Sequence, residues 1–188
     1  LASSSAMAVD LNAGTGSNTY ATENTVGAAG AVLAGTIAAN NVTVNTGFSI
    51  SDSTERYMRF DITGATFTDA TGLALAVDDA GGAGNANEVL SAGGAAADAY
   101  VVYEVTASGG NTVATTNDAV LALPNLTVSS IGAIGVTYAL FSNAIDAVNN
   151  TTANALATAS GTVANAAAGG SVGNTTGATA SSLIDVTQ

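Results

Sequence analysis

The stretch YVVYEVT, residues 100–106, decides the fold class of this chain. Its β-branched and aromatic residues favour an extended strand, and the apolar run in its first half indicates burial on both faces. Apolar and polar residues alternate with a period of two in further segments, as they do in half-buried strands. The apolar members of those segments are Met7, Val9 and Leu11; Val42 and Val44; Met58, Phe60 and Ile62; and Leu73, Leu75 and Val77.

These strand candidates are separated by turns rich in glycine and asparagine. The pattern predicts an all-β fold, a single antiparallel β-sandwich or jelly-roll-like domain with Ala/Gly-rich terminal extensions. A βαβ fold would require regular amphipathic helices between the strands, and the middle of the chain lacks them. We therefore divide the chain into an N-terminal extension (1–20), a sandwich core (21–142) and an Ala/Asn/Thr-rich C-terminal segment (143–188).

Two segments depart from the strand pattern. Residues 78–99 are rich in glycine and alanine, which predicts a loop containing at most one short turn. In the C-terminal segment, apolar and small residues recur at 4-3-4-3-4 spacing, which predicts a short helix that precedes a closing strand. The members of this stripe are Phe141, Ile145, Val148, Thr152, Ala155 and Ala159.

Charge and missing residue types exclude several classes of function. The chain has 188 residues and a formal net charge of −12, and its two cations are Arg56 and Arg59. Two arginines cannot supply the counterion release that drives nucleic-acid binding. The sequence contains no His, Cys or Lys, which removes zinc and haem ligation, lysine Schiff bases and the commonest general base. We predict no cofactor, no nucleic-acid partner, no membrane-spanning segment and no enzymatic activity.

Two groups of charged residues are candidate sites. Arg56 and Arg59 could form an anion clamp, but in so acidic a chain each is expected to pair with carboxylates on neighbouring strands. Asp78 and Asp79, followed by Asn85, Asn87 and Glu88, offer oxygen ligands that calcium could use. Their spacing does not match the EF-hand loop, and a solvated loop is the alternative interpretation.

The composition resembles that of proteins that microbes export in bulk. The chain is rich in Thr, Asn and Ser and has no Lys, Cys or Trp, and in this it is similar to pilins, surface-layer proteins and adhesins. The resemblance implies an extracellular or cell-surface location. Five N-glycosylation sequons, about the number expected by chance, leave attached glycans as an open possibility. They begin at Asn41, Asn125, Asn149, Asn150 and Asn174.

The two chain ends carry the features that point to a function. Met7, Val9 and Leu11 alternate with smaller or polar residues near the N-terminus, and a second apolar group lies near the C-terminus at Leu183, Ile184 and Val186. A terminal strand either closes its own sandwich or completes the sheet of a neighbour. We expect a structural subunit of an extracellular filament or surface assembly that polymerises with copies of itself by β-strand addition. The alternative is an adhesin or carbohydrate-binding β-sandwich module.

Overall fold

The structure is a computed structural model. It describes residues 11–12, 18–20, 36–37, 40–52, 54–79, 86–114, 118–128, 134–166, 171–172 and 184–185. Strands dominate this part of the chain. In order they are β1 (Leu11–Asn12), β2 (Asn18–Tyr20), β3 (Thr36–Ile37), β4 (Asn40–Asn45), β5 (Ile50–Ser51), β6 (Arg56–Thr63), β7 (Ala65–Phe67), β8 (Ala74–Val77), β9 (Asn87–Gly93), β10 (Tyr100–Thr106), β11 (Thr112–Val113), β12 (Asp118–Leu123), β13 (Leu126–Val128), β14 (Ile134–Phe141), β15 (Ala157–Ala166), β16 (Ser171–Val172) and β17 (Ile184–Asp185). Helix α1 (Ala144–Asn149) and a 3-10 turn (Thr152–Asn154) lie between β14 and β15.

Two sheets enclose the main hydrophobic core. The larger has six strands in the order β2-β15-β14-β6-β10-β9, and the smaller has four in the order β1-β4-β12-β8. Pairing is antiparallel throughout both sheets except between β15 and β2. Buried residues from both sheets form one continuous cluster, so the sheets share a core. The prediction of an all-β, antiparallel sandwich is confirmed.

The alternation in β6 assigns its side chains to opposite faces of the six-stranded sheet. Met58, Phe60 and Ile62 face the main core, as the sequence pattern predicted. The rings of Phe60 and Tyr138 lie 5.3 Å apart in a tilted arrangement, which is a favourable aromatic geometry. The buried Tyr138 hydroxyl donates a 2.9 Å hydrogen bond to the carbonyl of Thr46, and so joins the two sheets. Strand β10 is buried at Val101, Val102 and Tyr103, which confirms its assignment as the central apolar run.

A second, smaller cluster lies on the outer face of the six-stranded sheet, beneath helix α1. It contains Tyr57, Val102, Ala139, Phe141 and Ala147. The helix is shorter than the stripe over residues 141–159 predicts. Its first turn is capped at Asn143, and it ends where Asn150 adopts a left-handed conformation with φ of 53°.

The prediction of which helix residues are buried is also wrong. Ile145 and Val148, which the stripe placed on a buried face, are exposed, Ile145 to 73%. The side chain that α1 buries is instead that of Ala147, because a small residue lets the helix lie close to the sheet.

The prediction of a loop over residues 78–99 is wrong, because β9 occupies Asn87–Gly93. This strand pairs with β10 and forms the edge of the six-stranded sheet. The turn that follows it requires glycine at Gly93, where φ is +69° and a Cβ atom would collide with the carbonyl oxygen of Tyr100. Gly93 and Gly94, two of the glycines that suggested a loop, are therefore part of a β-hairpin.

The predicted subunit-interaction residues fall mostly outside the described residues, namely Met7, Val9, Leu183 and Val186. Leu11 lies in β1 and pairs with Val44 of β4, and Ile184 lies in β17 and pairs with Val172. Beyond the predicted core boundary at residue 142, β15 pairs along nearly the whole of β14. The six-stranded sheet thus draws one of its long strands from the C-terminal segment.

The two phenylalanines of this region provide a matched test of the core. We expect Phe60→Ala to lower the free energy of unfolding by about 3–5 kcal/mol, because it removes a fully buried ring that cannot be replaced by water. Phe48→Ala removes the same atoms from a ring that is 38% exposed and should cost much less. Chemical denaturation of both variants measures the difference, and equal losses would contradict the assignment of Phe60 to the core.

Candidate functional site

One edge of the four-stranded sheet is formed by β1, a strand of two residues. Of the described residues, Leu11 and Asn12 pair with the outer edge of β4, opposite Val44 and Thr43. Strand β4 itself has six residues, and on its other side β12 pairs along all six. Val42 and Val44 of β4 are fully buried, so β4 supplies side chains to the main core.

The edge of the six-stranded sheet that β9 forms carries exposed apolar side chains. Val89 is 57% exposed and Leu90 is 50% exposed. Their cross-strand partners in β10 are Glu104 and Tyr103, which belong to opposite faces of the sheet. The register shifts between Val102 and Tyr103, so that Ser91 forms a bulge in β9. Sequence reasoning missed this edge strand because its large apolar residues, Val89 and Leu90, are adjacent in sequence and do not alternate with polar residues as in a half-buried strand.

Arg59 connects β6 to helix α1. Its guanidinium forms a bidentate pair with Asp61, with Nε 2.7 Å from Oδ2 and Nη2 2.6 Å from Oδ1. Nη1 donates to the carbonyl oxygens of Ala147 (2.9 Å) and Val148 (2.8 Å) in the last turn of α1. The guanidinium also lies over the ring of Tyr100, 4.2 Å from the ring centroid. A cation at a helix C-terminus is favourable because the unpaired carbonyls there carry partial negative charge.

The sequence expectation that each arginine pairs with carboxylates on neighbouring strands is correct only in that Arg59 pairs with a carboxylate. Arg59 does pair with a carboxylate, but Asp61 lies two residues away on the same strand and not on a neighbouring one. Arg56 donates through Nη1 to the carbonyl of Glu55 and lies 5.3 Å from the ring centroid of Phe48. The two arginines therefore make different contacts and do not share one ligand.

The oxygen-rich segment proposed for calcium is used for internal hydrogen bonds where the structure describes it. Asp79 is buried, and its Oδ2 accepts hydrogen bonds of 3.2 Å from both the backbone N–H and the hydroxyl of Ser108. Glu88 accepts a 2.7 Å hydrogen bond from the backbone N–H of Val77. Asn85 lies outside the described residues. Within the described ranges, no three His, Cys, Asp or Glu residues are grouped as they would be to hold a metal ion.

Several side chains have shifted pKa values with clear causes. Burial, together with the neighbouring Glu55 and Glu104, raises the pKa of Tyr57 to about 12. Its one hydroxyl hydrogen has two carboxylate acceptors within reach, Glu55 Oε2 at 3.1 Å and Glu104 Oε2 at 3.3 Å. Burial also raises the pKa of Tyr138. Hydrogen bonds, above all the one from Asn143, lower the pKa of Asp146 at the start of α1. Both tyrosines therefore act as hydrogen-bond donors at neutral pH.

A cleft of about 380 Å³, with both polar and apolar lining, lies on the outer face of the six-stranded sheet, beside the end of helix α1. Asp61, Thr137 and Ser160 are aligned in register across β6, β14 and β15 on its floor. Asn150 and Thr152, from the segment that follows the helix, form a wall. Sequence analysis did not single out Asp61, Thr137 or Ser160, and it named Asn150 only as a sequon and Thr152 only as a member of the helical stripe. The cleft forms only when β6, β14 and β15, from separate parts of the chain, are paired in one sheet.

Within the part of the chain that the structure describes, no helix has the length and hydropathy needed to cross a bilayer.

Replacing the connecting arginine tests its role. We expect Arg59→Lys to lower the free energy of unfolding by about 2 kcal/mol, because a lysine retains the charge but cannot bind Asp61 bidentately and cap α1 at the same time. Arg56→Lys is the matched control and should change stability little. Urea denaturation checks both, and a smaller effect at Arg59 than at Arg56 would overturn the interpretation.

The acidic residue of β9 gives a prediction about pH. Burial raises the pKa of Glu88, and the negative charge of Asp79 adds to the shift, although the hydrogen bond from Val77 opposes it. A carboxyl whose pKa is higher in the folded state binds protons preferentially there, so its contribution to stability improves as pH falls from neutral towards 4.5. Glu88→Gln keeps the acceptor oxygen and removes the charge.

We therefore expect Glu88→Gln to raise the melting temperature at pH 7 and to lose this advantage as the pH approaches 4.5. Asp52→Asn, in an exposed turn, serves as the control for a general change in net charge. Thermal unfolding across this pH range measures the difference between each variant and the wild type. A Glu88→Gln variant that is less stable at pH 7 would contradict the prediction.

Comparison with known proteins gives no family for this chain. No protein-family model matches it, and no curated protein does. A solved structure described as "Complete structure of manganese lipoxygenase of Gaeumannomyces graminis and partial structure of zonadhesin of Komagataella pastoris" contains a chain that can be superimposed on it, with 12% sequence identity and a TM-score of 0.33. The match covers 70% of this chain and 43% of the other. A likeness this distant carries no argument about function.

Proposed function

We propose that this protein is a structural subunit of an extracellular filament or surface assembly, and that copies of it join by β-strand addition. The proposed donor is the N-terminal segment around Met7, Val9 and Leu11 of one subunit. The proposed acceptor is the outer edge of β4 in the next subunit. Because donor and acceptor are different surfaces, the contact is head-to-tail, and it builds a filament when the rotation between subunits does not close a ring.

The pairing of β1 with β4 is the observation that carries this proposal. Leu11 lies opposite Val44, and residues directly opposite in an antiparallel pair share a face of the sheet. A neighbour's strand in the same register would place Leu11 opposite Val44, Val9 opposite Thr46 and Met7 opposite Phe48, so that all three share the face of Val44 and the last two extend past the end of β4. A contact that a chain makes with its own terminal strand can be made equally by the same strand of a neighbour, as in domain swapping.

The contrast between the two sheet edges supports β4 as the acceptor. The exposed edge at β9 contains a bulge at Ser91 and a carboxylate at Glu88, which are devices that discourage pairing with another strand. The edge of β4 is covered by a partner of two residues among those described. A longer partner strand would pair with more of the backbone N–H and C=O groups along this edge.

The charge and composition of the chain are compatible with export and assembly. A net charge of −12 keeps finished polymers from associating side by side. Fold stability does not depend on disulfides, because the sequence contains no cysteine. An extracellular, cell-surface location is part of the proposal, and the partners are other copies of the same chain.

A pair of adjacent substitutions tests the donor strand. We expect Val9→Asp to abolish assembly, because it would place a charge on the core-facing side of the donor strand, the side that Val44 shares. Ala8→Asp adds the same charge one position away, on the opposite face, and should assemble normally. Negative-stain electron microscopy and mass in solution, both on protein that has never been denatured, measure assembly.

Truncation with rescue provides the control for misfolding. Deleting residues 1–12 should leave a soluble protein that binds a synthetic peptide of residues 5–13 and does not bind a peptide of the same composition with the alternation disrupted. Filaments of normal length from the truncated protein would contradict the proposal that the N-terminal segment is the donor strand. Monomers only, from the intact protein under every condition, would remove the filament proposal itself.

A further inference from the structure

The cleft beside helix α1 has the lining of a site for a neutral, hydroxyl-rich ligand. Its floor aligns the carboxylate of Asp61 with the hydroxyls of Thr137 and Ser160 across three neighbouring strands. Neighbouring strands lie about 4.8 Å apart, so this row spans about 10 Å. The hydroxyls of Thr152 and Thr158 and the amide of Asn150 border the same space. Such a surface offers both donors and acceptors to a ligand that has both.

Asp61 is oriented before any ligand arrives. Arg59 engages both of its oxygens, at 2.6 and 2.7 Å, and is itself held by the carbonyls of Ala147 and Val148. A carboxylate has about four lone-pair positions, so a bidentate arginine leaves about half of them to accept hydrogen bonds from a ligand. The Asp61 side chain is 21% exposed, which leaves it accessible from the cleft. An acceptor fixed in this way loses little freedom when it binds.

Charge and ligand count argue against the other ligand classes. The chain has a net charge of −12, which repels anions and so disfavours phosphates and acidic sugars. Divalent cations prefer several oxygen ligands of high charge, and Asp61 is the sole carboxylate among the described residues that line the cleft. An apolar ligand would leave the lining hydroxyls without partners.

We propose that this cleft binds a neutral saccharide through Asp61, Thr137 and Ser160. The proposal develops the carbohydrate-binding alternative that the sequence left open, and it does not depend on strand addition. Tyr138 lines the cleft but is buried in the core, and the ring of Tyr100 is covered by Arg59, so neither is free to stack against a sugar. We therefore expect a single site to be weak, with a Kd in the range of about 1 mM.

The test combines a glycan array with NMR titration of the intact protein. The array carries neutral oligosaccharides that end in glucose, mannose, galactose or N-acetylhexosamines, with sialylated forms for comparison. The best neutral sugar is then titrated into ¹⁵N-labelled protein. We expect saturable shifts of the backbone amides around residues 137 and 160, and at least a tenfold weaker response in the double variant Thr137→Val, Ser160→Ala.

Controls separate a lost ligand contact from a lost fold. Valine and alanine are compatible with strands at these exposed positions, and the amide spectrum of the double variant reports directly whether it remains folded. Thr112→Val, on β11 and away from the cleft, should bind as the wild type does. No saturable binding of any neutral sugar, stronger binding of the sialylated forms, or unchanged binding by a folded double variant would each overturn the proposal. Loss of filaments bears only on strand addition, so the two proposals fail independently.

Discussion

The two-faced alternation of β6 is the constraint on which the rest of the structure depends. One face of this strand places Phe60 and its neighbours in the core shared by the two sheets. The other face places Tyr57 in the second cluster, under helix α1. It also places Arg59 where it donates a hydrogen bond to a carbonyl of that helix. Strands β14 and β10 pair on either side of β6, so both layers are built on its register. A slip of one residue would exchange the two faces and leave an arginine in the main core.

Arg59 shows how an acidic chain can use a single cation for several purposes. One guanidinium neutralises Asp61, satisfies two carbonyls at the end of α1 and covers the ring of Tyr100. Removing a partner from such a group leaves a charge poorly solvated, which costs more than the pair gains when it forms. The position of the helix, and with it one wall of the cleft, therefore depends on this side chain.

The sequence predicted well those features that depend on side chains close together in the chain. The apolar alternation of Met58, Phe60 and Ile62 identified the core face of β6, because one buried face imposes a period of two. It failed at β9, since an exposed edge strand needs no apolar face and glycine at Gly93 suggested a loop. The stripe that predicted a helix combined residues of β14, α1 and β15, because small alanines fit either periodicity.

The partners of individual side chains were beyond the reach of sequence reasoning. Nothing local distinguishes Asp61 from acids on the neighbouring strands as the partner of Arg59. The cleft residues become neighbours through the pairing of β14 with both β6 and β15, and this pairing joins distant parts of the chain. The outward position of Thr137 could be predicted from its place between Val136 and Tyr138, but its position beside Asp61 could not.

The placement of both cations in β6 has a consequence for proteolysis. Trypsin cleaves after lysine or arginine, and Arg56 and Arg59 are the two such residues of the whole sequence. Both peptide bonds lie in a strand that is paired on either side, between β14 and β10. A protease must bind its substrate as an extended, separated strand, so trypsin can act only on molecules whose central sheet has opened. Resistance to trypsin-like enzymes therefore follows from where the chain keeps its only positive charges.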